Sequence, residues 1–143
     1  MRRKATRENL GYQLAKASQR WNELLHDEFA AQGYPEVRPA YGSVLLPLFE
    51  EDGLRMGELA RRSRLAKQTI TTLVRLAERD GLVSRRPDPD DGRASRVCLT
   101  PRAREFEPVA ERVLARLELR VAGRLSPAEH RKLSESLKEV MSL

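Results

Sequence analysis

The run Lys67-Gln68-Thr69-Ile70-Thr71-Thr72-Leu73-Val74-Arg75-Leu76-Ala77-Glu78-Arg79-Asp80-Gly81, continued by Leu82-Val83-Ser84-Arg85-Arg86-Pro87-Asp88-Pro89-Asp90-Asp91-Gly92-Arg93, decides how this chain folds. Ile70, Leu73, Val74 and Ala77 recur at i, i+3, i+4 and i+7, which is one buried stripe of a helix. Gln68, Thr71, Thr72, Arg75 and Arg79 occupy the opposite face at the same spacing. A face that is merely solvated favours Glu and Lys, which are better helix formers than threonine. Here three of the chain's five threonines, Thr69, Thr71 and Thr72, sit within four positions. Short hydrogen-bonding side chains beside a glutamine and an arginine suit close approach to the edges of DNA bases. Gly81 ends the helix at the position a left-handed cap prefers.

Working outward, Leu82 to Arg86 and Ser95 to Leu99 are two short extended runs separated by Pro87-Asp88-Pro89-Asp90-Asp91-Gly92. That is a hairpin with a turn-rich, charged tip, flanked by Arg85, Arg86, Arg93 and Arg96. Upstream, Met56 to Ser63 forms a short helix that turns Leu59 and Ala60 inward, preceded by a helix from about Pro39 to Glu51 that stops at Asp52-Gly53. A long helix from Thr6 to about Gln32 carries Leu10, Leu14, Ala17, Trp21, Leu24, Leu25 and Phe29 on one face and ends at Gly33. Downstream, Thr100-Pro101 opens a helix bearing Phe106, Val109, Ala110, Val113, Leu114, Leu117 and Val121, and Ser126-Pro127-Ala128-Glu129 is a capping box for a last helix with Leu133, Leu137, Val140 and Met141. A short helix, a tight turn, a second helix with a polar face and a basic-tipped hairpin make a winged helix-turn-helix. The expected class is mostly α, with a small two- to three-stranded β wing.

At 143 residues the chain suits a single domain, 1–143, with core enough to need neither disulfide nor metal. Its one cysteine, Cys98, excludes a disulfide scaffold, and the longest apolar run, Val44 to Phe49 with Pro47 inside it, is far short of a membrane span. The basic start, Arg2, Arg3, Lys4 and Arg7, leads into an amphipathic stretch rather than an apolar one, so no secretory signal is expected and the cytoplasm is the expected compartment. The net charge of +6 is unevenly distributed. Residues 1–54 hold 7 basic and 8 acidic side chains, residues 55–104 hold 13 and 6, and residues 105–143 hold 7 and 7. A segment of +7 between near-neutral arms points to a polyanion-binding module flanked by scaffolding.

The hairpin, with its Gly81-Leu82-Val83 entry, Pro-x-Pro tip, the Asp91 and Arg93 pair and the closing Leu99-Thr100, resembles the wing of the multiple-antibiotic-resistance regulator (MarR) family. Leu65 to Glu78 is similar to that family's recognition helix, and Leu10-Gly11-Tyr12 resembles the start of its first helix. Ala66, where a capping Ser or Asp is usual, and Met56-Gly57, in place of a polar cap, depart from the pattern. The resemblance implies a homodimer held by the long terminal helices, residues 6–36 and 101–143, around a DNA-binding lobe at 37–100. It implies a sequence-specific regulator, a repressor, that binds a pseudo-palindromic operator in double-stranded DNA. Gln68, Thr69, Thr71 and Thr72 would then meet base edges, and Lys67 and Arg75 bases or phosphates. Arg93 would enter the minor groove with Asp91 holding it by an ion pair, and Arg85 and Arg86 would face the backbone.

Similar regulators respond to small aromatic or lipophilic ligands where the dimer helices meet the DNA-binding lobe. Trp21, His26, Tyr34, Tyr41 and Phe49 gather near that junction, and core packing competes with an effector pocket for them. Cys98 reads as a packing residue of the second wing strand. The two histidines, His26 and His130, show no metal-ligand spacing, no cofactor motif is present, and no nucleophile with a paired base suggests an enzyme. An architectural DNA binder that needs no ligand is the alternative reading.

Overall fold

The computed structural model describes residues 6–143, so the basic residues Arg2, Arg3 and Lys4 lie outside the described residues. Helix α1 spans Leu10–Ala31 and starts later than Thr6 because the Asn9 side chain accepts hydrogen bonds from the Gly11 and Tyr12 N–H groups. Gly33 follows it at φ +92°, a left-handed conformation that costs glycine nothing. The stretch expected as one helix from Pro39 divides into a 3-10 turn, Pro39–Tyr41, and α2, Gly42–Glu50. Then come β1 (Leu54–Arg55), α3 (Met56–Ser63), α4 (Lys67–Arg79), β2 (Val83–Pro87), β3 (Ser95–Leu99), α5 (Pro101–Ala122) and α6 (Pro127–Met141).

The three strands form one antiparallel sheet in the order β1-β3-β2. Val83 pairs with Leu99, Arg85 with Val97 and Pro87 with Ser95, while Leu54 pairs with Val97 from the other side. Between α3 and α4 the chain turns at Arg64, the single described non-glycine residue at positive φ, +56°. Glycine would adopt that conformation without strain, and an arginine there costs on the order of 1 kcal/mol. The exit of α4 is more ordinary: Gly81 takes φ +81°, and the Gly81 and Leu82 N–H groups donate to the Glu78 and Ala77 carbonyls.

One continuous core joins Leu25 and Phe29 of α1, Val44, Leu45 and Leu48 of α2, Leu59 of α3 and Ile70, Val74 and Ala77 of α4 to Val97 of the sheet and Phe106, Val113 and Leu117 of α5. Each fully buried aliphatic side chain, such as Ile70, contributes about 1.5–3 kcal/mol. The core stops short of two places. Helix α6 buries no residue, and in the first half of α1 Leu10 is 59% exposed. An apolar groove of about 890 Å³ lies between them, lined by Leu10, Leu14, Trp21, Leu133, Leu137 and Val140 among others.

Candidate nucleic-acid interface

The buried stripe of α4, Ile70, Val74 and Ala77, holds the helix against the core and turns the other face outward. On that face Lys67, Gln68, Thr69, Thr72 and Arg75 are exposed and Thr71 is half-buried. The face forms two columns at i, i+4 spacing: Lys67, Thr71 and Arg75, and beside it Gln68 and Thr72. The Thr71 hydroxyl donates to the Lys67 carbonyl at 2.8 Å and the Thr72 hydroxyl to the Gln68 carbonyl at 3.1 Å. Ala66 provides no side-chain cap, as its identity dictates.

The arginines of the wing differ in their partners. Arg85 reaches back to Glu78 of α4, with Nε 3.5 Å from the carboxylate. Arg86 and Arg93 are exposed and, like Lys67 and Arg75, have no ion-pair partner among the described residues. These four cations are free to meet phosphates. The expected Asp91 to Arg93 ion pair is not formed. Asp91 Oδ1 instead accepts the backbone N–H of Arg93 at 3.0 Å, because an aspartate two residues before an amide in a tight turn closes an Asx turn. Asp91 shapes the tip and leaves the Arg93 guanidinium unrestrained.

The carboxylate that organises the wing is Asp88, the one buried charged residue among those described. Its Oδ1 accepts the Asp90 N–H at 2.8 Å, its other oxygen accepts from Arg55 Nε, and Arg96 Nε stands 3.4 Å from that same oxygen as an ion-pair contact. Arg55 and Arg96 face each other across β1 and β3, so Asp88 neutralises a like-charge pair while tying the wing base to the strand that leads into α3. The Asp90 N–H and the Arg55 guanidinium outweigh burial and hold the Asp88 carboxyl at about 2, against an ordinary 3.8. At the rear of α4, the buried Tyr41 hydroxyl donates to Asp80, which Arg79 also contacts. Burial first, and then this hydrogen bond to a carboxylate, push the Tyr41 phenol up.

Residues 39–94 match the sequence pattern of the MarR family. Over 95 residues the chain is 32% identical to the HTH-type transcriptional repressor Rv2887 of Mycobacterium tuberculosis, covering 66% of this chain and 68% of that one. The chain belongs to the MarR family. Among solved structures, the transcriptional repressor CouR bound to a 23-mer DNA duplex is 26% identical, with a TM-score of 0.78 over 97% of this chain and 99% of that one. The PcaV regulator of Streptomyces coelicolor, solved with its natural ligand, shares the fold at TM-score 0.80 and 22% identity, covering 99% of this chain and 98% of that one. MarR proteins are winged helix-turn-helix transcription regulators and not enzymes, and this chain carries their fold through all six helices and the wing.

In MarR terms the aromatic residues singled out from the sequence separate into two groups. Trp21 and Phe49 line a cavity of about 180 Å³ where α1, α2 and α5 meet, together with Phe29, Arg38, Leu46 and Phe106. Tyr34, Tyr41 and His26 do not line it. Tyr34 packs on Phe106 and lies under the Arg102 guanidinium, 3.9 Å away, and Tyr41 is committed to Asp80. His26 is exposed because it follows Leu25, which takes the buried position. Cys98 lies on β3 opposite Ser84, half-buried. Among the described residues no helix is long and apolar enough to cross a membrane.

Sequence reasoning missed Asp88, Arg55 and the Tyr41 to Asp80 contact. Asp88 stands in Pro87-Asp88-Pro89, a context that reads as turn.

Proposed function

We propose that the chain is a homodimeric transcriptional repressor that binds a pseudo-palindromic operator and is released by a small aromatic or lipophilic acid. The observation that carries the DNA part is the α4 face, on which Gln68, Thr69, Thr71 and Thr72 stand outward between Lys67 and Arg75, two cations without ion-pair partners among the described residues. Lys67 and Arg75 face phosphates or flanking bases, Arg93 enters the minor groove from the wing tip, and Arg86 follows the backbone, with Arg85 shared between DNA and Glu78. Asp91 contributes by shaping the tip. Residues 37–100 form the DNA-binding lobe, and 6–36 with 101–143 form the dimerisation region. The open groove between α1 and α6, apolar and unfilled by the described residues, supports a second copy as its occupant. Two copies related by a two-fold axis present their α4 helices to successive major grooves, hence the palindrome.

The effector part rests on the cavity at the junction. At about 180 Å³ it exceeds the roughly 150 Å³ apolar cavity that accepts a benzene ring. Arg38 is the one charged residue in its lining, which suits a carboxylate on that ring. Arg38 and Pro39 belong to the segment that carries Tyr41 to Asp80 at the end of α4, so a ligand that displaces this segment moves the reading helix.

Selection of preferred duplexes from a random pool by the purified protein tests the DNA reading. A two-fold symmetric site with half-site centres about one helical turn apart is the expected product. An unselective outcome, with binding that scales only with length and salt, would fit an architectural protein and overturn the proposal. Quenching of Trp21, the only tryptophan, by benzoate-type acids, with loss of operator binding at the same concentration, tests the effector reading. Absence of both at millimolar ligand excludes that ligand class.

A further inference from the structure

The threonines of α4 differ in what they have left to offer DNA. A hydroxyl has one proton to donate. In Thr71 that proton is held by the Lys67 carbonyl at 2.8 Å, and in Thr72 by the Gln68 carbonyl at 3.1 Å. Neither can donate to an acceptor of the major groove without breaking a bond it already makes. What each keeps available besides an acceptor lone pair is its methyl group. Thr69, by contrast, makes no side-chain hydrogen bond among the described residues, and its hydroxyl is free to donate.

The major groove holds one apolar group, the C5-methyl of thymine, and threonine methyls are among its partners. Thr72 is exposed and lies one turn beyond Gln68 in the same column of the reading face. A glutamine amide matches adenine N6 and N7 in a bidentate pair. The column therefore offers an amide and then a methyl, the two kinds of group that match the adenine edge and the thymine methyl of A·T pairs. We propose that Thr72, supported by the half-buried Thr71, reads thymine by methyl contact, so that the centre of each half-site is A·T with its thymines selected through their methyl groups. This deepens the proposal that α4 enters the major groove and rests on it.

The test uses the full chain and the duplex selected from the random pool. Thymines of each half-site are replaced one at a time by deoxyuridine, which lacks only the methyl. At one or two adjacent positions affinity should fall about fourfold, the worth of one buried methyl. Thr72→Val keeps the methyl and drops the hydroxyl, and it should hold affinity within about twofold while still discriminating thymine from uracil. Thr72→Ser keeps the hydroxyl and drops the methyl, and it should bind the two duplexes equally. Thr72 is exposed, so both variants fold, and matched thermal melts check that.

If Thr72→Ser discriminates as the parent does and Thr72→Val loses affinity, the hydroxyl does the reading and the inference is overturned. No effect of deoxyuridine anywhere, together with a Gln68→Ala variant that relaxes sequence preference, overturns the methyl contact alone and leaves the reading helix standing. A Gln68→Ala variant that weakens all sequences equally overturns both.

Discussion

The reading head and the last helical arm carry the same kind of amphipathic periodicity, yet the head fills its stripe from within the described residues and α6 does not. Ile70, Val74 and Ala77 of α4 are fully buried, whereas Leu133 and Leu137 of α6 are 44% and 39% exposed. The head, less than half of the chain, is held by a core plus a polar clamp at Asp88. The arms are long helices with caps in place, including the Ser126 and Glu129 capping box; α5 and the end of α1 bury their apolar residues in the core, whereas α6 and the start of α1 leave an apolar face that no described residue covers. A helix stripe therefore says that something must pack there and not what does.

The largest effect expected is in the head. Leu59→Ala removes a fully buried side chain of α3 and should lower stability by about 2–5 kcal/mol in urea unfolding. A loss under 1 kcal/mol would mean that the head core is slacker than its burial indicates. The counterpart in the arms is Leu137→Glu, which puts a charge into the open groove. It should leave the chain folded by circular dichroism, shift it toward monomer in sedimentation velocity and cost on the order of 100-fold in operator affinity. An unchanged dimer would place the second copy elsewhere.

A smaller effect sharpens the division within the head. Arg93→Ala should weaken operator binding about tenfold and reduce the slope of log affinity against log salt by about 1, because the guanidinium is unrestrained in the free chain. Unchanged affinity and slope would remove the wing tip from the interface.

The smallest effect is a change in the shape of the acid limb. The folded-state value of Asp88 is depressed to about 2 from 3.8, so its contribution is complete above about pH 4 and is lost as pH falls toward 2. Glu58, which Arg61 and Arg62 hold at about 2 against an ordinary 4.5, titrates in the same window on the exposed side of α3. Asp88→Asn should therefore flatten part, not all, of the fall in melting temperature between pH 4 and 2. A curve parallel to the parent would mean that Asp88 is not ionised in the clamp.

The local elements were legible because their causes are local. The α4 stripe, the Gly81 exit, the Thr100 and Ser126 caps and the paired runs of the wing all depend on residues within a few positions of one another. Departures also have local causes: the Asn9 side chain caps α1 three residues after Thr6, and Pro39 opens a 3-10 turn ahead of α2. The charges of Asp91 and Arg93 suggest an ion pair, but the Arg93 amide is nearer to the carboxylate than the flexible guanidinium and takes it instead. Trp21 and Phe49 met in one cavity while His26 did not, since helix phase at single-residue resolution decides which side faces inward.

Period, caps and the concentration of positive charge in residues 55–104 already specified a winged helix-turn-helix with an anion-seeking middle and apolar arms. Contacts between distant residues required the tertiary structure. Asp88 gathers Arg55 and Arg96 from strands far apart in sequence, Tyr41 reaches Asp80 across the core, and α1 and α6 leave a groove open between them. Such pairings depend on chain closure over tens of residues, where burial and counter-charge select the partner, and no spacing along the sequence encodes that choice.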